Sequence, residues 1–333
     1  MANMANMANI LYNELFANNS LYNYADANVI SVSVMDYISG QFGSDYVDTD
    51  DANNAVIYGH LCLLKWLHKC KNITPNIDCL NAINAMNIDV LRYLIEDIGL
   101  IPTAETANKA AAIGALNIVR YLRENGVRCS EKGVIYAARN GHLDVLCDLR
   151  ERDGLICKNL YSIARNGHLH ILKNIYENDF SAERKLSFMN DNLVANEAAR
   201  EGHLDVVKYL RDVCNLEAND LGVDFAAFEN RLEIIKDAFE NNTLVKPSQT
   251  TVDYATHNGH LDIIKYLHSV GITCSNKGAD YATFNGHLHV IKYLHEVQHI
   301  DCTQDGLQYS INKGYQHIVD YLQTIDIVPV VHD

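Results

Sequence analysis

The stretch Tyr136-Ala137-Ala138-Arg139-Asn140-Gly141-His142-Leu143-Asp144-Val145 decides the reading of this chain, because it returns along the sequence with small changes. Its second half opens a recurring phrase, Gly-His-Leu-x-aliphatic-aliphatic-Lys-Tyr-Leu, complete at Gly202, Gly259 and Gly286 and partly altered at Gly141 and Gly167. Weaker copies begin at Gly59, Met86, Gly114, Asn230 and Gly314. The intervals between these ten starts are 27, 28, 27, 26, 35, 28, 29, 27 and 28 residues. Self-similarity at such a period is the signature of a repeat array.

Taking the glycine as position zero, +4 and +5 are aliphatic in every copy, from Leu63 and Leu64 to Ile318 and Val319. Position +8 is apolar throughout, with Ala238 the smallest. Together with +2 these positions make one stripe on an α-helix, helix B. Position −4 is Ala in eight copies: Ala55, Ala82, Ala110, Ala137, Ala198, Ala226, Ala255 and Ala282. Ile163 and Ser310 are the exceptions. Small residues there predict a preceding helix A that approaches its neighbours closely, and the glycine suits a left-handed residue ending it. Acidic residues at +3, such as Asp144 and Asp205, favour the positive end of helix B.

The pattern resembles the ankyrin repeat, whose A-A-x-x-G-H-L-x-V-V core is matched by residues 137–145 and almost as well by Tyr254 to Ile264 and Tyr281 to Ile291. The phrasing and short period look like the ankyrin proteins of giant viruses infecting amoebae. The expected fold is therefore all-α: an ankyrin-type helical repeat solenoid over residues 53–324, with shortened inter-repeat loops and little strand. The family's T-P-L-H phrase is missing, and position −6 holds Ile135, Tyr161, Asn196, Asp224, Asp253, Asp280 and Gln308. The long interval leaves room for a fuller loop around Ser181 to Asp191. Residues 1–52 read as an acidic N-terminal segment, with Ala27 to Ile38 a degenerate capping repeat, and residues 325–333 as a tail.

Composition narrows the partners. With 27 basic against 42 acidic residues, a formal charge of −15 and no paired spacing among nine cysteines, we expect reduced thiols, an intracellular and cytoplasmic protein, and neither nucleic acid nor membrane as partner. No signal peptide and no transmembrane run is expected. A monomer is the expected state.

His295-Glu296-Val297-Gln298-His299 spells the H-E-x-x-H zinc-protease signature. The repeat frame argues against it: His295 falls at the exposed end of helix B and His299 in the loop beyond. The Gly-His histidines, one per repeat, are too far apart to share a metal and are expected to tie the turn to neighbouring backbone. Cys129, Cys157, Cys274 and Cys302 read as small buried hydrophobes. No enzyme activity, metal or cofactor is expected. Tyrosines at +7 are expected to pack between repeats. Basic residues at +6 are read as a solvated face, with an acidic docking strip as the alternative.

By the resemblance, positions −2 and −1 face the groove that ankyrin proteins use for partners. Position −2 carries Arg139, Arg165 and Arg200, then Phe228, His257 and Phe284; position −5 adds Tyr136, Phe225, Tyr254, Tyr281 and Tyr309. Arg and aromatic residues are the usual hot spots. The expectation is a non-enzymatic protein–protein interaction scaffold gripping a protein with an acidic and an apolar stretch. The alternatives are a structural or assembly component of a virus particle, or an adaptor for a host ubiquitin ligase.

Overall fold

The computed structural model describes residues 48–81, 88–178, 192–241 and 246–325. The capping repeat read at 27–38 and the fuller loop read at 181–191 lie outside them. The chain divides into two compact units, Met1–Lys158 and Asn159–Asp333.

Every described regular element is helical. In the first unit α1 spans Thr49–Ile57, α2 Leu61–Lys71, α3 Ile88–Glu96, α4 Ala104–Ala112, α5 Leu116–Glu124, α6 Glu131–Arg139 and α7 Leu143–Asp153. A short 3-10 turn, Ile77–Asn81, stands ahead of α3. In the second unit α8 spans Tyr161–Arg165, α9 Leu169–Asn178, α10 Asn192–Glu201, α11 Leu204–Cys214, α12 Asp220–Phe228 and α13 Leu232–Asn241. It continues with α14 Gln249–His257, α15 Leu261–Ser269, α16 Asn276–Phe284, α17 Leu288–Tyr293, α18 Gln304–Lys313 and α19 Gln316–Thr324. Each unit is an all-α repeat solenoid: the A helices (α4, α6 in the first unit; the even-numbered helices α8 to α18 in the second) stack directly on one another, with the B helices behind them.

The turn between A and B is the same in each described copy. Position zero has positive φ at Gly59, Gly114, Gly141, Gly167, Gly202, Gly259, Gly286 and Gly314, and at Asn230 (φ 61°). Its N–H bonds back to the carbonyl at −3, and the next N–H to that at −4, as in Gly259 to Thr256 (3.2 Å) and His260 to Ala255 (2.9 Å). This double closure satisfies the last carbonyls of helix A, and it needs a residue that tolerates left-handed backbone.

The core follows the stripe. Positions +4, +5 and +8 are buried, for example Ile263, Ile264 and Leu267, with Leu63 of the first described repeat half-buried. The leucines at +2, such as Leu143 and Leu261, are only half-buried, so the stripe is narrower than its spacing suggests. Ala at −4 is fully enclosed, as at Ala137, Ala226 and Ala255. Ser310 fits the same place by donating its hydroxyl to the carbonyl of Thr283 (3.3 Å).

Three sets of side-chain links join successive repeats. In the first, the histidine at +1 reaches back across the preceding glycine. Nε2 of His142 donates to the carbonyl of Ala112 (3.0 Å), His203 to Arg165 (2.9 Å), His260 to Phe228 (2.8 Å) and His287 to His257 (3.1 Å). Arg231 replaces the histidine in the Asn230 repeat and donates to Arg200 (3.2 Å). Asn140, Asn258 and Asn285 at −1 donate to the same carbonyls. A Cβ on Gly114 or Gly167 would stand 2.5 Å from the ring of His142 or His203.

The second set occupies the place of the missing T-P-L-H phrase. Asn or Asp at −6 accepts the backbone N–H of the residue capping the next A helix. Asn108 accepts from Ser130 (2.9 Å), Asn196 from Asn219 (2.9 Å), Asp253 from Ser275 (2.8 Å) and Asp280 from Thr303 (2.6 Å). The third set lies on the B helices. The cation at +6 of one repeat sits over the +7 ring of the next: Lys65 over Tyr93, Arg92 over Tyr121, Lys173 over Tyr209, Lys265 over Tyr293 and Lys292 over Tyr321, all 5.3–5.8 Å from the centroid. Where +7 is Asp, the cation forms an ion pair instead. Arg120 and Arg123 hold Asp148 (2.7 and 2.5 Å), and Lys208 and Arg211 hold Asp237. These +6 cations thus serve the next repeat and are not simply solvated, whereas Lys236 pairs with Glu233 of its own repeat (2.7 Å).

Candidate functional site

The residues singled out at −5 and −2 are one helical turn apart, so they project from one face of each A helix. In the second unit they also meet across repeats, each −2 side chain touching the −5 side chain of the following repeat. Arg165 reaches Glu197 (3.7 Å), and the Arg200 guanidinium lies 5.2 Å from the Phe225 ring centroid. Phe228 packs edge-to-face on Tyr254 (6.1 Å) and lies beside His257 (5.5 Å). His257 meets Tyr281 (5.4 Å), and Phe284 meets Tyr309 (5.3 Å).

These rings stay partly open to solvent. Phe284 is 37% and Tyr309 45% exposed; Phe225, Phe228, Tyr254, His257 and Tyr281 are half-buried. The framework explains why. Positions −4 and −3 are small and buried at Ala226–Ala227, Ala255–Thr256 and Ala282–Thr283, so the large side chains are confined to the helix face turned away from the B layer. Tyr136 and Arg139 occupy the same positions in α6 of the first unit, with Tyr136 36% exposed.

The arginines do not form the open positive strip that their sequence positions suggest. Arg165 pairs with Glu197 and with Glu201 (3.2 Å), and Arg200 pairs with Glu229 (3.4 Å). Those carboxylates sit at −5 and −1, next to the arginines they neutralise. The acidic stretch expected of a partner thereby loses its basis in this unit. Position −1 also changes role, since Asn258 and Asn285 belong to the links between repeats.

The H-E-x-x-H stretch is placed by the third set of links. His295 packs edge-on against Tyr321 (6.3 Å) and its Nδ1 lies 2.6 Å from Asp301. His299 is the left-handed residue after the helical segment Leu294–Gln298, with φ 57°. Among the described residues no cluster of three His, Cys, Asp or Glu side chains could hold a metal. Cys129, Cys157, Cys274 and Cys302 are buried. Burial pushes the Cys129 thiol up to about 11, and raises Cys274 still more strongly. A buried neutral thiol is a poor nucleophile. No described helix is long and apolar enough to cross a membrane.

No protein-family model and no curated protein matches this sequence. Similar solved structures include the pentatricopeptide repeat protein PPR10 in complex with an 18-nt psaJ RNA element, at 11% identity and a TM-score of 0.38. That alignment covers 98% of this chain and 57% of the other. The pentatricopeptide repeat protein PPR10 from maize is similar at 12% identity and a TM-score of 0.27, covering 92% of this chain and 58% of the other. This chain is an all-α helical-repeat protein. The chain spans a little over half the length of these structures.

The expectation that nucleic acid is no partner is corrected by these findings. Helical-repeat proteins of this general kind include one recorded in complex with RNA. Net charge sums over the whole chain, whereas binding depends on the local surface, so a total of −15 cannot exclude that class. At such TM-scores the likeness carries no argument for RNA binding here.

Proposed function

We propose that the chain is a non-catalytic, intracellular binding scaffold of ankyrin type, whose second unit grips a segment of a partner protein along the A-helix face from Phe225 to Tyr309. The observation that carries this reading is the continuity of half-open rings over four successive repeats, Phe228 to Tyr254 and His257, His257 to Tyr281, and Phe284 to Tyr309. Rigid aromatic side chains lose little entropy on binding and bury large areas, which makes such rows favoured anchors. The ankyrin assignment is supported by the left-handed glycine turn, the enclosed alanines at −4 and the histidine links. The non-catalytic reading is supported by the buried thiols and by the structural employment of His295.

A photo-crosslinking residue in place of Tyr254 tests the proposal, with the same residue in place of Lys265 on the B face as control. The likeness to giant-virus proteins makes amoebal lysate the source of partner. Discrete protein adducts from position 254, absent from 265, are expected. Equal labelling at the two positions would overturn the proposal.

A further inference from the structure

Three of the rings on this face already hold a cation of the chain itself. Arg200 lies over Phe225 (5.2 Å), Lys277 over Tyr281 (5.9 Å) and Lys313 over Phe284 (5.0 Å). The ring pair Phe228–Tyr254, between the first two of these, has none among the described residues. Glu229, which follows Phe228 directly, is paired with Arg200 (3.4 Å), so the attraction for a cation here comes from the ring faces, with the −15 of the whole chain acting only at long range.

Resting on the binding face proposed above, we propose that its partner segment is basic, extended, and carries Arg at every third position, each guanidinium stacking on one repeat's rings. The spacing follows from two lengths. Neighbouring A helices stand about 10 Å apart. Three residues of extended chain also span about 10 Å. A cation over an aromatic face is drawn to the ring's negative quadrupole, and Arg stacks there better than the strongly hydrated Lys. A partner Arg therefore joins the Phe228–Tyr254 pair, where the His257 ring stands beside Phe228 (5.5 Å), and displaces the flexible Lys277 and Lys313 from theirs. An acidic partner finds no such reception, because Arg165 and Arg200 are committed to Glu197, Glu201 and Glu229. The long-range field of an acidic chain speeds the approach of a basic segment.

The probe is a fluorescein-labelled Gly-Ser peptide with three arginines at every third position, titrated by anisotropy against the full chain. Its counterparts carry citrulline in place of arginine, or the same arginines in one block; a short oligouridine is the nucleic-acid arm. The variants are Phe228→Leu with Tyr254→Leu, which leave the charge unchanged, and Phe228→Tyr, which keeps a ring. We expect the spaced arginine peptide to bind at least about fivefold more tightly than the citrulline or block peptide. The Leu double variant should remove that advantage, and Phe228→Tyr should keep it, with unchanged helical circular dichroism in both. Equal binding of arginine and citrulline peptides, both lost in the Leu variant, overturns the basic partner while leaving the face itself standing. Undiminished arginine binding by the Leu variant means that general acidity attracts the probe, and overturns the proposal. Oligouridine binding that depends on the rings, without peptide binding, also overturns it. If no probe binds and crosslinks from position 254 are also absent, the face and the basic partner fall together.

Discussion

The carboxylate of Asp280 accepts the backbone N–H of Thr303 at 2.6 Å, and a Cβ on Gly306 in that same next repeat would stand 2.5 Å from it. The two facts belong together. Glycine at −8 is the clearance that lets the Asx side chain of the preceding repeat reach the cap of the next A helix. Gly133 faces Asn108 and Gly222 faces Asn196 in the same way. Where −8 is Thr251 instead, its hydroxyl donates to Asp224 (2.7 Å).

Gly222→Ala should therefore reverse the usual sign. In an ordinary helix interior the change gains up to about 1 kcal/mol. Here it should cost about 1–3 kcal/mol, through a forced contact with Asn196. Combining it with Asn196→Ala should cost less than the sum of the two single changes, as measured by urea unfolding. Strict additivity would separate the glycine from the Asx link.

Asp148 ties a pH dependence to the B face. Its side chain is 2% exposed and accepts from Arg120 and Arg123. Burial alone would raise its pKa, but the hydrogen bonds and charges of the two arginines outweigh it and hold the carboxyl below its ordinary value. A depressed folded pKa gives stability that is complete above the unfolded value, about 3.9, and is lost as pH falls through the folded one. Asp148→Asn should cost about 1.5–3 kcal/mol at neutral pH. The gap in melting temperature between wild type and variant should close on acidification below about pH 4. A gap constant from pH 7 to pH 3 would contradict the assignment.

Core and surface should separate cleanly in repeat Gly259. Ala255→Leu fills a site with no space and should cost about 1–3 kcal/mol. Lys265→Ala loses only the contact with the Tyr293 ring, about 0.5–1 kcal/mol. Similar losses in chemical denaturation would mean that helix A does not approach its neighbours as described.

Thiol chemistry supplies a rapid check of burial. Cys70 is exposed, whereas Cys129 and Cys274 are buried with raised pKa values. Alkylation of the native protein at pH 8 should modify Cys70 first and leave Cys129 and Cys274 untouched until unfolding, as mapped by peptide mass spectrometry. Early modification of Cys274 would contradict the packing of α16 on α14.

How far these features could be read in advance depends on whether they lie within one repeat or between two. The helix B stripe, the enclosed Ala255 and the left-handed Gly259 are properties of a single repeat and are plain in the pattern. Asp253, Asp280 and Asn196 looked like departures from a family phrase, because their partners Ser275, Thr303 and Asn219 stand a whole period away. Lys265 and Tyr293 were visible as two separate rows, a solvated one and a packed one, and only stacking shows them as one contact. Arg165 and Arg200 suggested a positive strip because their neutralising carboxylates, Glu197, Glu201 and Glu229, lie at other repeat positions. That −5 and −2 share a face is legible within one repeat, since they stand one turn apart on one helix.

The choice at +7 has a bearing on the order in which repeats can stand. Asp148 and Asp237 each follow a repeat carrying two cations, Arg120 with Arg123 and Lys208 with Arg211, while Tyr93 and Tyr293 each follow a Lys and a His at those places. A tyrosine tolerates several neighbours; a buried aspartate without its arginine is an uncompensated charge. Exchanging the Gly141 repeat with the one that carries Tyr293 would leave Asp148 with Lys265 and His268 in place of its two arginines, so nearly identical repeats are not interchangeable. During folding the same rule penalises a chain that docks one repeat out of sequence, the characteristic error of an array whose members otherwise look alike.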